Sequence, residues 1–296
     1  VDLYVANDST RNFLYRNEGP GADGRVGFRD VGVGVGAAFN DRGLTEAGMG
    51  TDAGDVDGDG RFDLFVAHLD FETNTLYHNQ GGLFIDATAR SGLGPPSMRR
   101  VGFGVNLFDV DSDGDLDLFV ANGHILDNIN QQKPSLSYAQ PDQLFLGNGS
   151  GVFTLAPGAA GPYFERALVG RGTAVGDIDN DGDPDLLVLN NDQAPVLLQN
   201  HIGDGANALI LELRSRHGGR HAIGAKATVV THQGTQVEEV RSGSSYLSQG
   251  DLRLHFGLGQ GTSIERVEIR WPEGQTETLD AASLHLNAVN LIQQTP

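Results

Sequence analysis

The chain has 296 residues, 39% of them hydrophobic, which leaves room for two domains with ordinary cores. Its formal net charge of −19 argues against nucleic acid or an anionic membrane as partner, and the absence of cysteine excludes disulfide frameworks, thiolate metal sites and cysteine nucleophiles. No apolar run is long enough to span a bilayer, so membrane insertion is not expected.

In chain order, VDLYVAN (1–7) aligns with two later segments, FDLFVAH (62–68) and LDLFVAN (116–122). The alignment makes Asp2 the ninth position of an acidic loop whose first eight positions are absent, so the chain reads as cut inside a repeating unit. A cut edge of this kind could pair with another chain. The next stretch, EGPGADGRVGFRD (18–30), is too irregular for strands.

Three complete acidic loops follow: DVDGDGRFD (55–63), DVDSDGDLD (109–117) and DIDNDGDPD (177–185). Positions 1, 3, 5 and 9 are Asp55, Asp57, Asp59 and Asp63 in the first loop and Asp109, Asp111, Asp113 and Asp117 in the second. In the third they are Asp177, Asp179, Asp181 and Asp185. Position 6 is always Gly, and position 7, which can offer a backbone carbonyl, is Arg61, Asp115 or Asp183. Alternate carboxylates on a tight turn suit a hard cation that takes six to eight oxygens, which points to calcium at three sites and a remnant of a fourth at Asp2. The loops hold 14 of the 39 acidic residues, so much of the acidity is stored where an ion would neutralise it.

An EF-hand would continue into a helix with Glu at position 12. Here position 12 is Val66, Val120 or Val188, inside LFVA (64–67), LFVA (118–121) and LLVL (186–189), which read as buried strands. Each loop therefore joins two strands. Glycines recur seven and five residues before each loop, as Gly48 and Gly50, Gly102 and Gly104, and Gly170 and Gly172, and suit a strand whose backbone approaches a neighbour closely. Units of roughly four strands repeating at this spacing indicate propeller blades. From Ala208 onward, alternating apolar and polar residues predict a compact set of strands.

The repeats resemble FG-GAP/VCBS calcium-binding repeats of integrin-type propellers. The C-terminal motifs IGAKATVV (223–230), VRSGSSYLSQGDLRLHFGLG (240–259) and VEIRWPEGQ (267–275) resemble an ASPIC/UnbV domain, and the combination resembles bacterial members of the cartilage acidic protein family. The resemblance implies an all-β chain, with partial integrin-like β-propeller blades over 1–204 and a small β-sandwich or barrel-like domain over 205–296. It also implies a secreted calcium-binding protein.

The expected function is that of an extracellular or periplasmic, calcium-stabilised module that binds a protein or a glycan in adhesion or matrix assembly, without catalysis. The alternative is a carbohydrate-active lyase or hydrolase built on the propeller. HExxH, P-loop, GxSxG and Rossmann patterns are absent from the sequence. A pocket that groups His124 or another base with arginines, away from the acidic loops, would favour the enzyme. Arg241, Tyr246 and Gln249, around SGSSYLSQG (242–250), either contact a ligand or lock the C-terminal domain onto the last blade.

Overall fold

The computed structural model describes residues 1–156, 160–216, 220–261 and 263–295. The acidic loops sit in antiparallel hairpins of one shared register, in which Gly54 pairs with Asp63, Phe108 with Asp117 and Gly176 with Asp185. The chain is all-β, with short one-turn helices between strands.

Four meandering sheets come first. They are Leu3–Val5, Phe13–Pro20 and Val26–Asp30; then Thr51–Gly54, Asp63–Val66, Thr75–Asn79 and Phe84–Asp86; then Gly102–Phe108, Asp117–Asn122, Gln143–Gly147 and Phe153–Leu155; and last Gly170–Gly176, Asp185–Asn190 and Val196–Leu198. The first sheet corrects one expectation. Residues 18–30 are not an irregular excursion, because they turn a hairpin whose register shifts between Asn17 and Pro20. That irregularity removes the alternation by which a strand is recognised in sequence.

The apolar strand after each of the first two loops is buried on both faces, whereas the one after the third buries Leu186 and Val188 and leaves Leu189 exposed. Leu64 and Val66 pack towards the first sheet with Tyr4, Leu14 and Tyr77, while Phe65 and Ala67 pack towards the third with Val105, Leu118 and Phe145. Leu118 and Val120 complete that layer, and Phe119 and Ala121 point the other way, onto Leu186 and Val188 of the fourth sheet. Side chains alternate along a strand, so LFVA supplies both layers at once. Each fully buried large side chain contributes roughly 1.5–3 kcal/mol. The result is face-to-face stacking of successive blades.

Residues 207–293 build two further sheets around one core. Asn207–Arg214 lies between Leu254–Gly259 and, in parallel, Val289–Gln293; facing them are Thr235–Glu239, Lys226–Thr231, Ile264–Arg270 and Thr276–Leu279. Leu209, Leu211 and Phe256 from one side meet Ala227, Val229, Val267, Ile269 and Trp271 from the other. The indole N–H of Trp271 donates to Glu277 at 3.0 Å, which satisfies the one polar atom of a fully buried ring.

The leading strands of the second, third and fourth sheets approach one another closely. A Cβ on Gly50 would lie 1.8 Å from the Phe103 carbonyl oxygen, and one on Gly104 would lie 2.4 Å from that of Arg171. A Cβ on Gly172 would instead meet Ser248 and Tyr246, so the C-terminal segment takes the next place in the series. Its Ser245 bridges to Thr51 by a pair of backbone hydrogen bonds of 2.9 and 3.3 Å.

Candidate metal centres

The ninth-position aspartate organises each loop. One oxygen of Asp63, Asp117 and Asp185 accepts the N–H of the second loop residue, Val56, Val110 or Ile178, at 3.2, 2.8 and 2.9 Å. The other accepts from the third strand, from Asn79, Gly147 or Asn200, at 2.7, 2.8 and 2.9 Å. Asp2 makes the equivalent bond to the strand that follows its own, accepting the Asn17 N–H at 2.8 Å. The first-position carboxylates of Asp55 and Asp109 accept two further N–H groups each, from loop positions 5 and 6, at 2.8–3.1 Å.

Such a wrapped loop needs left-handed backbone. The position-6 glycines adopt it, Gly60, Gly114 and Gly182 having φ of 85°, 101° and 105°. Position 4 adopts it too, as Gly58, Ser112 and Asn180 with φ between 56° and 70°, a requirement the acidic pattern alone did not reveal. Gly and Asn tolerate this region, which is why they occur there.

Positions 1, 3 and 9 converge. Carboxylate oxygens of Asp55, Asp57 and Asp63 lie within 4.8 Å of one another, as do those of Asp109, Asp111 and Asp117 and those of Asp177, Asp179 and Asp185. Position 5 stands partly aside: one oxygen of Asp59, Asp113 and Asp181 accepts the N–H of position 7 at 2.9–3.0 Å. Convergence of like charges in a desolvated turn has an electrostatic signature. Burial, with repulsion from Asp117, pushes Asp109 well up, and burial, with Asp111 and Asp113, pushes Asp117 up to about 7. Burial, with Asp57, raises Asp63 to about 6, and burial, with Asp181 and Asp204, raises Asp183 to about 6. A neighbouring cation acts on these carboxyls in the opposite direction, favouring the charged form.

Orphaned oxygens mark the same places. Oδ1 of Asp57 and both carboxylate oxygens of Asp177 are buried without a hydrogen-bond partner, the N–H groups of Asn180 and Gly182 approaching Asp177 without closing a bond. All-oxygen donor sets with unsatisfied lone pairs fit a hard divalent cation. Several aspartate groups of this chain can therefore hold a metal ion.

The three loops are not equivalent. In the first, the Arg61 guanidinium pairs with Asp59 and donates to the Asn79 carbonyl at 2.9 Å. His78 Nδ1 stands 3.2 Å from both Asp57 and Asp63. Its counterparts one residue before the third-strand contact are Leu146 and Gln199, and Gln199 reaches Asp179. In the third loop, Asp204 joins Asp181 and Asp183 in a second trio, alongside Asp185 in the first. His78 and Asp204 lie outside the repeated pattern, so register alone could not find them. Asp115, at position 7 of the second loop, abuts Gly149.

Other sequence candidates have structural partners. His124 is buried, its Nε2 3.1 Å from Asp70 and its Nδ1 accepting the Leu126 N–H at 2.9 Å, while Lys133 pairs with the other Asp70 oxygen. Arg241 bonds Asp52 at 3.1 Å and the Ala53 carbonyl, and Tyr246 packs edge-on against Phe103 at 5.1 Å. Of the two readings of this segment, these contacts match the lock between the C-terminal strands and the blades. Gln249 stays exposed.

No helix among the described residues is long and apolar enough to cross a membrane, which says nothing of β-barrels. The FG-GAP-like repeat model matches residues 55–120 and 134–188, and the ASPIC and UnbV model matches 215–294. Cartilage acidic protein 1 of Homo sapiens is 27% identical over 348 aligned positions, covering 97% of this chain and 50% of that protein. The Mus musculus protein gives 27% with 52% of its length covered, and the Xenopus tropicalis protein 27% with 42%. The chain thus spans about half the length of the curated relatives it matches. The all-β chain thus resembles FG-GAP-like repeats over its acidic hairpins and an ASPIC and UnbV domain over its C-terminal strands, and is similar along nearly its whole length to cartilage acidic protein 1.

Proposed function

We propose that this chain is an extracellular module in which calcium held by the three aspartate hairpins stabilises the blades and presents their surface to a protein or glycan. The observation that carries the reading is the threefold convergence of positions 1, 3 and 9 in one hairpin register, with buried oxygens left unpartnered. Asp55, Asp57, Asp59 and Asp63 would hold the first ion, with the carbonyl of Arg61. Asp109, Asp111, Asp113, Asp115 and Asp117 would hold the second, and Asp177, Asp179, Asp181, Asp183 and Asp185 the third. A bound cation supplies charge neutralisation and a common anchor for the loop. The aspartates do the rest, stapling the loop to the third strand through position 9. Extracellular calcium modules work at about 10⁻⁴–10⁻³ M, which supports a location outside the cytoplasm.

Metal analysis in millimolar calcium tests this. About three ions per chain are expected, one fewer in Asp111→Ala, and chelation should lower the melting temperature. At free calcium about 100 times the dissociation constant each site contributes about 2.7 kcal/mol. Unchanged stoichiometry in Asp111→Ala, or indifference to chelator, would refute the reading.

One observation favours the second reading, a carbohydrate-active enzyme. A cleft away from the acidic loops groups buried Glu46 with Arg42, Arg99 and Arg100. Burial raises the Glu46 carboxyl, which accepts the Thr75 hydroxyl at 3.0 Å. Chromatography of acidic polysaccharides incubated with the protein decides between binding and cleavage.

A further inference from the structure

The cleft that contains Arg100 has a volume of about 940 Å³ and is walled by segments 40–46 and 94–100, with Thr73, Asp86, Thr88 and Ala89 between them. No residue of the three aspartate loops lines it. Its size falls in the range of small-ligand sites, about 300–1,000 Å³.

Arg100 is the anomaly of this cleft. Its Nε is buried with no protein acceptor, and burial alone acts on the group, with no carboxylate offsetting it. Other half-buried arginines are satisfied: Arg171 donates to the carbonyls of Gly123, Gly170 and His124 at 2.7–2.9 Å, and Arg241 pairs with Asp52. The acids of the same cleft are already engaged. Asp86 accepts the N–H groups of Asp41 and Thr88, Asp41 pairs with Arg42, and Glu46 takes the Thr75 hydroxyl. The guanidinium, half-buried and lining the cleft, leaves its Nε without an acceptor, and its planar donors match carboxylate or sulfate oxygens.

We propose that this cleft binds an acidic saccharide, with Arg100 and the neighbouring Arg99 holding its carboxylate or sulfate. The proposal deepens the glycan-binding reading above and rests on it for the class of partner. Asn40, Thr73 and Thr88 add neutral amide and hydroxyl groups to the lining, which suits a ligand bearing hydroxyls. Pro95, Pro96 and Met98 supply an apolar wall for a sugar ring. Charges beyond about 8 Å are screened at physiological salt, and within the lining Arg42, Arg99 and Arg100 are matched by Asp41, Glu46 and Asp86, so affinity rests on directed guanidinium contacts.

Calorimetric titration of the full chain, in millimolar calcium and physiological salt, tests the assignment. The probes are trigalacturonate, a sulfated disaccharide, maltotriose and a triglutamate peptide. Saturable binding is expected for trigalacturonate or the sulfated disaccharide, the two arms separating carboxylate from sulfate, and not for maltotriose or triglutamate. Arg100→Gln should weaken that binding at least about tenfold. The same substitution should raise the melting temperature, because it removes a buried Nε donor that has no acceptor. Arg99→Gln, at an exposed position, keeps the fold and should also lose affinity. The proposal is overturned if no acidic saccharide binds, if maltotriose or triglutamate binds as well, or if Arg99→Gln and folded Arg100→Gln bind undiminished. A protein that holds its calcium complement yet ignores acidic saccharides refutes this assignment alone and leaves the metal reading standing.

Discussion

Ser245 shows how much one side chain can join. Its hydroxyl accepts the Val105 N–H at 2.9 Å and lies 2.7 Å from the Thr173 hydroxyl, which in turn donates to Asn106 at 2.6 Å. Its own backbone bridges to Thr51. One residue of the C-terminal segment thus satisfies groups from three successive blades, all of them out of water. Ser245→Ala would strand the Val105 N–H, and a loss of about 1–3 kcal/mol is expected in urea unfolding followed by circular dichroism. A change within about 0.5 kcal/mol, the range of ordinary surface substitutions, would mean that the segment rests on the blades without joining them. The sequence marked 242–250 as a turn with polar residues. It could not name partners 72 and 140 positions away, because nothing local encodes them.

At the scale of the element, the hairpin around each loop was the most legible feature. Aspartates at alternate positions, a glycine that must be left-handed and a short apolar strand are all local requirements, and the three copies share one register. The glycines five residues upstream foretold a close approach without saying to what. The structure answers with the next blade, and for the last blade with the C-terminal segment. Gly50→Ala places a methyl 1.8 Å from the Phe103 carbonyl, so the two leading strands must part. A destabilisation of about 1–3 kcal/mol or more is expected from thermal melts, as for an overpacked core. Unaltered stability would show that the blades stack more loosely than these distances state. The hairpin at residues 13–30 was not legible, since its shifted register hides the alternation on which strand recognition depends.

For the whole molecule the decisive quantity is the balance between carboxylates and cation. Without an ion, Asp117 and Asp183 titrate near 7 and 6, above the ordinary carboxylate value of 3.8. The folded state then binds more protons than the unfolded chain between roughly pH 4 and 7, so stability falls as pH rises through that window. With the ion bound the sign reverses, because protons compete with it for the same oxygens. Calcium should therefore raise the melting temperature strongly at pH 8 and little at pH 5, and the chelated protein should be more stable at pH 5 than at pH 8. Differential scanning fluorimetry across this range checks both slopes. Parallel slopes with and without calcium would place the ion elsewhere.

The sequence by itself determined the all-β class, the aspartate hairpins and the change from repeating units to alternating strands near residue 208, because each is written in residues that act on their immediate neighbours. Carboxylate spacing, glycine conformation and strand alternation need no distant partner. Only the tertiary structure decided that His78 enters the first loop, that Ser245 fills the place among the leading strands, and that Nε of Arg100 is buried without an acceptor. Those facts depend on which surfaces meet after folding, and burial turns a remote neighbour into either a partner or an absence.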